Sequence, residues 1–205
     1  MPDAGLSLAE PPTRRPGGHE VLEAIRNRRS IGKVSSDVPD RSLIRQILEA
    51  GTWAPNHHLT EPWRFVVFEG EARKELGRVM GLVAAGREVE PVHMEAAAAK
   101  AAGKPLRAPY VIAVAVEPSP VASTPEIEEV AAGAAAVQNM LLAADALGLA
   151  AIWRSGWIAF EPELREFLGL STRAKVLGFV YVGYPAMAAP YRTRRDVDDL
   201  TTWRS

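Results

Sequence analysis

Residues 127–157 read Ile-Glu-Glu-Val-Ala-Ala-Gly-Ala-Ala-Ala-Val-Gln-Asn-Met-Leu-Leu-Ala-Ala-Asp-Ala-Leu-Gly-Leu-Ala-Ala-Ile-Trp-Arg-Ser-Gly-Trp. The first part, Ile127 to Leu147, predicts the longest helix of the chain. Its many Ala and its Gly leave little side-chain bulk on several faces, so other elements can approach its backbone closely and it belongs at the centre. Ala150 to Trp153 then predicts a short strand. Helices that interleave with a few strands along the chain indicate a three-layer (α-β-α) or other α+β sandwich.

Working outward, Val21, Leu22 and Ile25 lie at helical spacing and predict a helix over His19–Asn27. Pro39-Asp40 opens a second helix with Leu43, Ile44, Ile47 and Leu48 as its buried stripe and Gly51 as its stop. Trp63–Phe68 predicts a strand closed by Glu69-Gly70. Glu71–Gly86 and Met94–Ala102 predict helices separated by a break near Gly86 to Pro91. Tyr110–Val116 is an almost continuous apolar run, expected to be a buried strand. A helix over Pro162–Leu168, a strand over Val176–Val182 and a mostly extended Pro185–Ser205 complete the reading. Met1–Gly18, rich in Pro, Gly and Arg, is expected to be a flexible tail outside a single domain over residues 19–205.

Composition narrows the function classes. The chain has 205 residues, 47% hydrophobic and 24% charged, with a formal net charge of -1. So neutral a chain has no global electrostatic reason to bind nucleic acid or an anionic membrane. There are no cysteines, hence no disulfide, thiolate metal site or cysteine nucleophile, and a cytoplasmic setting is expected. The longest uncharged apolar stretch, Val130–Ala144, contains Gln138 and Asn139, ends at Asp145, and is shorter than the ~18–20 residues of a membrane span. Walker A, G-x-G-x-x-G and G-x-S-x-G patterns are absent, as is any metal-ligand spacing.

Three segments are hard to explain as packing. Arg28-Arg29-Ser30 joins two guanidinium groups and a hydroxyl at a helix end, suited to an anion because the planar Arg fork matches phosphate. Its bland alternative is a solvated basic helix terminus. Ala54-Pro55-Asn56-His57-His58, followed by Glu61-Pro62-Trp63, is a Pro-bounded rigid loop whose Asn and His can bond a heteroaromatic edge, or simply a structured polar loop. Trp153-Arg154-Ser155-Gly156-Trp157 suits a stacked planar ligand, or else two core tryptophans covered by Arg154.

Taken in order, these segments resemble the nitroreductase family. The resemblance rests on Arg28-Arg29-Ser30, on Ala54-Pro55-Asn56 leading to Pro62-Trp63-Arg64-Phe65, on Trp153-Arg154-Ser155-Gly156, and on Gly178 to Pro185. It covers the chain from about Val21 and is nearest the small, single-domain branch. It implies a homodimer with FMN at the subunit interface. Arg28, Arg29 and Ser30 are then expected at the FMN phosphate and ribityl chain, with Pro55, Asn56 and His57 approaching from the other subunit. Trp153, Arg154, Ser155 and Gly156 line the isoalloxazine, and Arg192 or Arg194 completes the phosphate site. The implied reaction passes hydride from NADH or NADPH through flavin N5 to a nitroaromatic, quinone or similar acceptor in ping-pong fashion, with no protein nucleophile and no metal. Arg107 and Arg192 are able to read a 2′-phosphate, so the donor is left open. Related scaffolds with other flavin chemistry, and a non-catalytic flavin-binding or structural role, are the alternatives.

One departure stands out. Many relatives carry a basic residue two positions after the serine of Arg-Arg-Ser, at the flavin pyrimidine edge. Here that position is Gly32, so Lys33 or Arg154 takes the role, or the flavin potential differs.

Overall fold

Every residue of the strand Tyr110–Val116 is buried, so this run lies inside a sheet covered on both faces. The structure is a computed structural model and describes residues 18–119 and 124–204. Its elements are α1 (Gly18–Asn27), α2 (Arg41–Thr52), β1 (Trp63–Glu69), α3 (Ala72–Gly86), α4 (Pro91–Ala102), β2 (Tyr110–Val116), α5 (Glu126–Ala146), β3 (Ala150–Arg154), α6 (Pro162–Phe167) and β4 (Lys175–Gly183). The four strands are ordered β1-β2-β4-β3 and every neighbouring pair is antiparallel.

Alternation along β2 sorts its side chains between two cores. Tyr110, Ile112 and Val114 join Val180 and Val182 against Ile44 and Ile47 of α2 and Val137, Met140 and Leu141 of α5. Val111, Ala113 and Ala115 join Phe179 and Tyr181 against Leu76 and Met80 of α3, Ala101 of α4 and Leu164 of α6. The result is the three-layer α+β sandwich expected from the sequence. Burial of a side chain such as Ile47 or Leu164 contributes about 1.5–3 kcal/mol. Asp40 caps α2, its carboxylate accepting from the Ser42 N–H at 2.8 Å. The central position of α5 follows from its small residues: a Cβ on Gly133 would sit 2.5 Å from side chains of Leu177 and Val116.

Several boundaries differ from expectation, each for a packing reason. Gly51 does not stop α2, which runs on to Thr52 and ends at Trp53. Gly51 is buried, and a Cβ there would lie 3.0 Å from Met140 and 3.2 Å from Phe65, so its smallness serves the α2–α5 contact. α4 starts at Pro91, not Met94, because Pro suits a first helical turn. β3 extends through Arg154, and a 3-10 turn at Trp157–Phe160 follows it. The segment after Pro185 is largely irregular, with one short 3-10 turn at Asp198–Leu200. Of the tail expected over residues 1–18, Gly18 opens α1 and the rest lies outside the described residues.

Candidate functional site

The segment after α1 runs along the free edge of the sheet. Ser30 forms a parallel bridge with Ala151 of β3, and the Ile31 N–H donates to the Ala151 carbonyl at 3.2 Å. The Ser35 N–H donates to Tyr184 at 2.9 Å, and the Ala186 N–H to Lys33 at 3.0 Å. Arg28-Arg29-Ser30 and Trp153-Arg154-Ser155-Gly156, more than a hundred residues apart in sequence, are thereby brought to one edge.

The two arginines differ sharply there. Arg29 is occupied: its Nε donates to the Pro190 carbonyl at 3.2 Å and its Nη1 to the carbonyls of Arg26 and Arg28. Arg28 has Nε and Nη1 buried with no hydrogen-bond partner. A buried guanidinium without acceptors costs free energy unless a ligand supplies them. That is not the solvated helix terminus of the bland alternative. A phosphate fits this donor set, and Ser30 beside it is exposed to contribute a hydroxyl.

Beyond β3 opens a cleft of about 390 Å³. Its wall includes Trp153, Arg154, Ser155, Gly156 and Trp157, and it also carries Lys104, Arg107 and Tyr181. Three cations and no carboxylate line it. Arg154 Cζ lies 6.0 Å from the Tyr181 ring centroid, while Arg87 sits 4.4 Å over the Trp157 ring and pairs with Glu161 at 3.2 Å. Burial, with Arg107 and Lys100 adding repulsion, lowers the Lys104 ammonium from its usual range. Burial raises the Tyr181 phenol, against the pull of Arg154 and Arg107, so the phenol stays neutral. The cleft therefore offers positive charge and aromatic surface to an anionic planar ligand. Trp153 and Trp157 are each 38% exposed, so neither is the core tryptophan of the alternative reading.

A bulge in β4 aims this wall. The β2–β4 register shifts between Val114 and Ala115, leaving Leu177 opposite no partner. The Leu177 carbonyl accepts from the Trp153 indole N–H at 3.1 Å. Gly178 beside it has φ +132, and a Cβ there would lie 2.5 Å from the Arg154 carbonyl and 2.9 Å from the Trp153 indole nitrogen. No other residue type fits both demands.

Pro55, Asn56 and His57 lie elsewhere. Their loop leads into β1, the opposite edge strand from β3. Three strand spacings, about 14 Å, separate the two edges. The loop is tied down locally. Asn56 Oδ1 accepts from the Glu61 N–H at 3.0 Å, His57 Nδ1 is 3.1 Å from Glu128, and the Thr60 hydroxyl donates to Glu129 at 2.9 Å. Arg192 and Arg194 sit on the exposed segment after Pro185, Arg194 donating to the Thr193 carbonyl at 3.1 Å.

Lys104 and Tyr181 were missed by sequence reasoning, and Arg107 was assigned only to a nicotinamide phosphate. Lys104 and Arg107 follow an Ala-rich helix and carry no motif. The available signal was a cluster of basic residues just before the fully buried strand β2. Among the described residues no cluster of His, Asp and Glu is arranged to hold a metal, and no helix is long and apolar enough to cross a membrane.

Comparison with known proteins agrees with this architecture. The model of the Nitroreductase family matches residues 25–184. An Escherichia coli K12 relative named "Putative NAD(P)H nitroreductase YdjA" is 36% identical over 172 residues, covering 83% of this chain and 91% of its own. A nitroreductase-like family protein from Bacillus cereus superposes with a TM-score of 0.76 at 27% identity, covering 90% of this chain and 95% of that one. A nitroreductase with bound FMN from Bacteroides fragilis superposes with a TM-score of 0.66 at 26% identity, covering 91% and 99%.

Proposed function

Because the chain belongs to the nitroreductase family, we propose that it is an FMN-dependent oxidoreductase using NADH or NADPH to reduce a nitroaromatic, quinone or similar electron-poor acceptor. The observation that carries this reading is Arg28, whose buried donors lack partners at the sheet edge, where Ser30 bridges Ala151 of the strand that leads into the cationic, aromatic-lined cleft. When bound, FMN supplies two-electron transfer between donor and acceptor, and its pyrimidine edge gathers negative charge as it is reduced.

The chain's own groups bind and orient. Arg28 and Ser30 hold the phosphate, while Arg29 pins the backbone around them through Pro190. Arg192 begins two residues beyond that contact and completes the phosphate site, with Arg194 further out on the same segment. The wall from Trp153 to Gly156 supports the ring, and Tyr181 and Trp157 bound it. Lys104, Arg107 and Arg154 are the cations that stabilise negative charge at its edge. Gly32 leaves room for the Arg154 guanidinium there.

A homodimer belongs to this proposal. Pro55, Asn56 and His57 sit at the far sheet edge, so they reach a flavin at the β3 edge only from a second copy. The segment after Pro185 leaves Tyr191, Val197, Leu200 and Trp203 between 60% and 85% exposed, apolar surface that a second copy covers.

The test is a visible spectrum of the purified protein, mass analysis of the molecule released on denaturation, and its molar mass in solution. Released FMN, a dimeric mass and NAD(P)H oxidation with a nitroarene or quinone are expected. No flavin, and no rise in melting temperature on adding FMN, would sink the reading. Bound FMN with every acceptor refused would assign the scaffold to other chemistry.

A further inference from the structure

We propose that Gly32 is a positioning residue: by lacking a side chain it seats the Arg154 guanidinium at the cleft, two residues along the chain from Ser30. The inference rests on the flavin reading above and deepens it.

The glycine at 32 is not there for its backbone. The described non-helical glycines with left-handed φ are Gly70, Gly148, Gly169 and Gly178, and Gly32 is not among them. What the position forbids is a side chain. A Cβ there would lie 2.7 Å from Arg154 Nη2, 3.6 Å from Ile152 Cδ1 and 3.8 Å from Arg154 Cζ. The only atom that must move for a methyl group is thus the tip of a long, flexible arginine.

Among the described residues nothing else fixes that tip. Arg154 belongs to none of the ion pairs among the described residues. Its guanidinium lies 6.0 Å from the Tyr181 ring centroid and over the place a Gly32 Cβ would take. Lys104 and Arg107 line the same cleft, so the local charge drives the guanidinium outward. Arg154 is exposed, and solvent offers an easy alternative. The hollow at Gly32 is what makes the inward position accessible. Filling it evicts the guanidinium with little cost to the fold, because no buried contact is lost.

The experiment compares the full-length wild-type protein, Gly32→Ala, Arg154→Ala and the double variant. The readouts are the reduction potential of bound FMN, the FMN dissociation constant, and the melting temperature without FMN. Gly32→Ala is expected to melt as wild type does. Its flavin potential should fall in the same direction as in Arg154→Ala, and FMN should bind about tenfold more weakly, the worth of one charge-assisted hydrogen bond. The double variant should match Arg154→Ala alone, because both changes remove one group. A Gly32→Ala protein with wild-type potential and affinity overturns the inference while leaving the flavin reading intact. So do effects that add in the double variant, or a drop in melting temperature that marks Gly32 as a packing residue. A wild-type protein that takes up no FMN removes both together.

Discussion

The two edges of the sheet handle polar groups in opposite ways. At the β3 edge, Arg28 keeps buried donors without partners, and Lys104, Arg107 and Arg154 share a cleft with no carboxylate. At the β1 edge, the loop of residues 54–62 is tied down: Asn56 to Glu61 within it, and His57 and Thr60 to Glu128 and Glu129 of α5. His58, Leu59 and Glu61 take positive φ without being glycine, a conformation that persists only where the surroundings over-determine it. The first region leaves cationic donors unpaired, ready for an anion. The second is tied to itself and to α5, with one Glu129 oxygen left unpartnered, and holds a shape. The two-copy site proposed above needs both: one surface that receives charge, and one that presents a rigid edge to it.

The comparison breaks most severely at Gly178. Gly178→Ala should cost about 3 kcal/mol in chemical denaturation, from a left-handed φ and a clash with the Arg154 carbonyl. FMN binding should weaken with it, because the bulge aims Trp153 and Arg154. A stable variant would show that β4 relaxes without disturbing the wall.

Arg28→Ala separates ligand binding from stability. FMN affinity should fall about 10- to 100-fold, as for loss of charge-assisted hydrogen bonds. The FMN-free protein should melt no lower than wild type, since a buried guanidinium without partners is removed. A variant that still purifies fully loaded with FMN contradicts the phosphate assignment.

The β1 edge should behave in the opposite sense. Thr60→Val removes the donor to Glu129, which is 1% exposed and has its other carboxylate oxygen already unpartnered. A loss of about 1–3 kcal/mol is expected in denaturant unfolding. An unchanged stability would mean that the loop is held by packing alone.

The smallest effect is one of pH. The folded state holds Lys104 below the ordinary lysine range. As pH rises, FMN binding should therefore begin to weaken before an ordinary lysine loses its proton. Stability of the FMN-free protein moves the other way. Between the lowered and ordinary values the unfolded chain binds the extra proton, so stability rises with pH. Dissociation constants and melting temperatures across alkaline pH check both, and Lys104→Arg should flatten both.

Much of the fold was legible because its signals are local. The run Tyr110–Val116 matches β2 residue for residue, and α5 differs from its expected span by one residue at each end. Periodicity and apolar runs report burial directly, whatever the partners are. Gly51 misled because a glycine near a helix end reads the same whether it stops the helix or admits a neighbour. Only the position of Met140 and Phe65 distinguishes the two.

The sequence alone determined the order of elements, the three-layer α+β class, the family, and the segments at residues 28–30, 54–63 and 153–157. Each of these is written in neighbouring residues. Tertiary structure decided what those segments do to one another. It left Arg28 open and occupied Arg29, because only the path of the chain past Pro190 supplies a carbonyl to one of them. It brought Lys104 and Arg107 to Arg154, and Gly32 under its guanidinium, across separations that no local pattern encodes. Charge acts through space, and the distances that set its effect exist only once the sheet edge has formed.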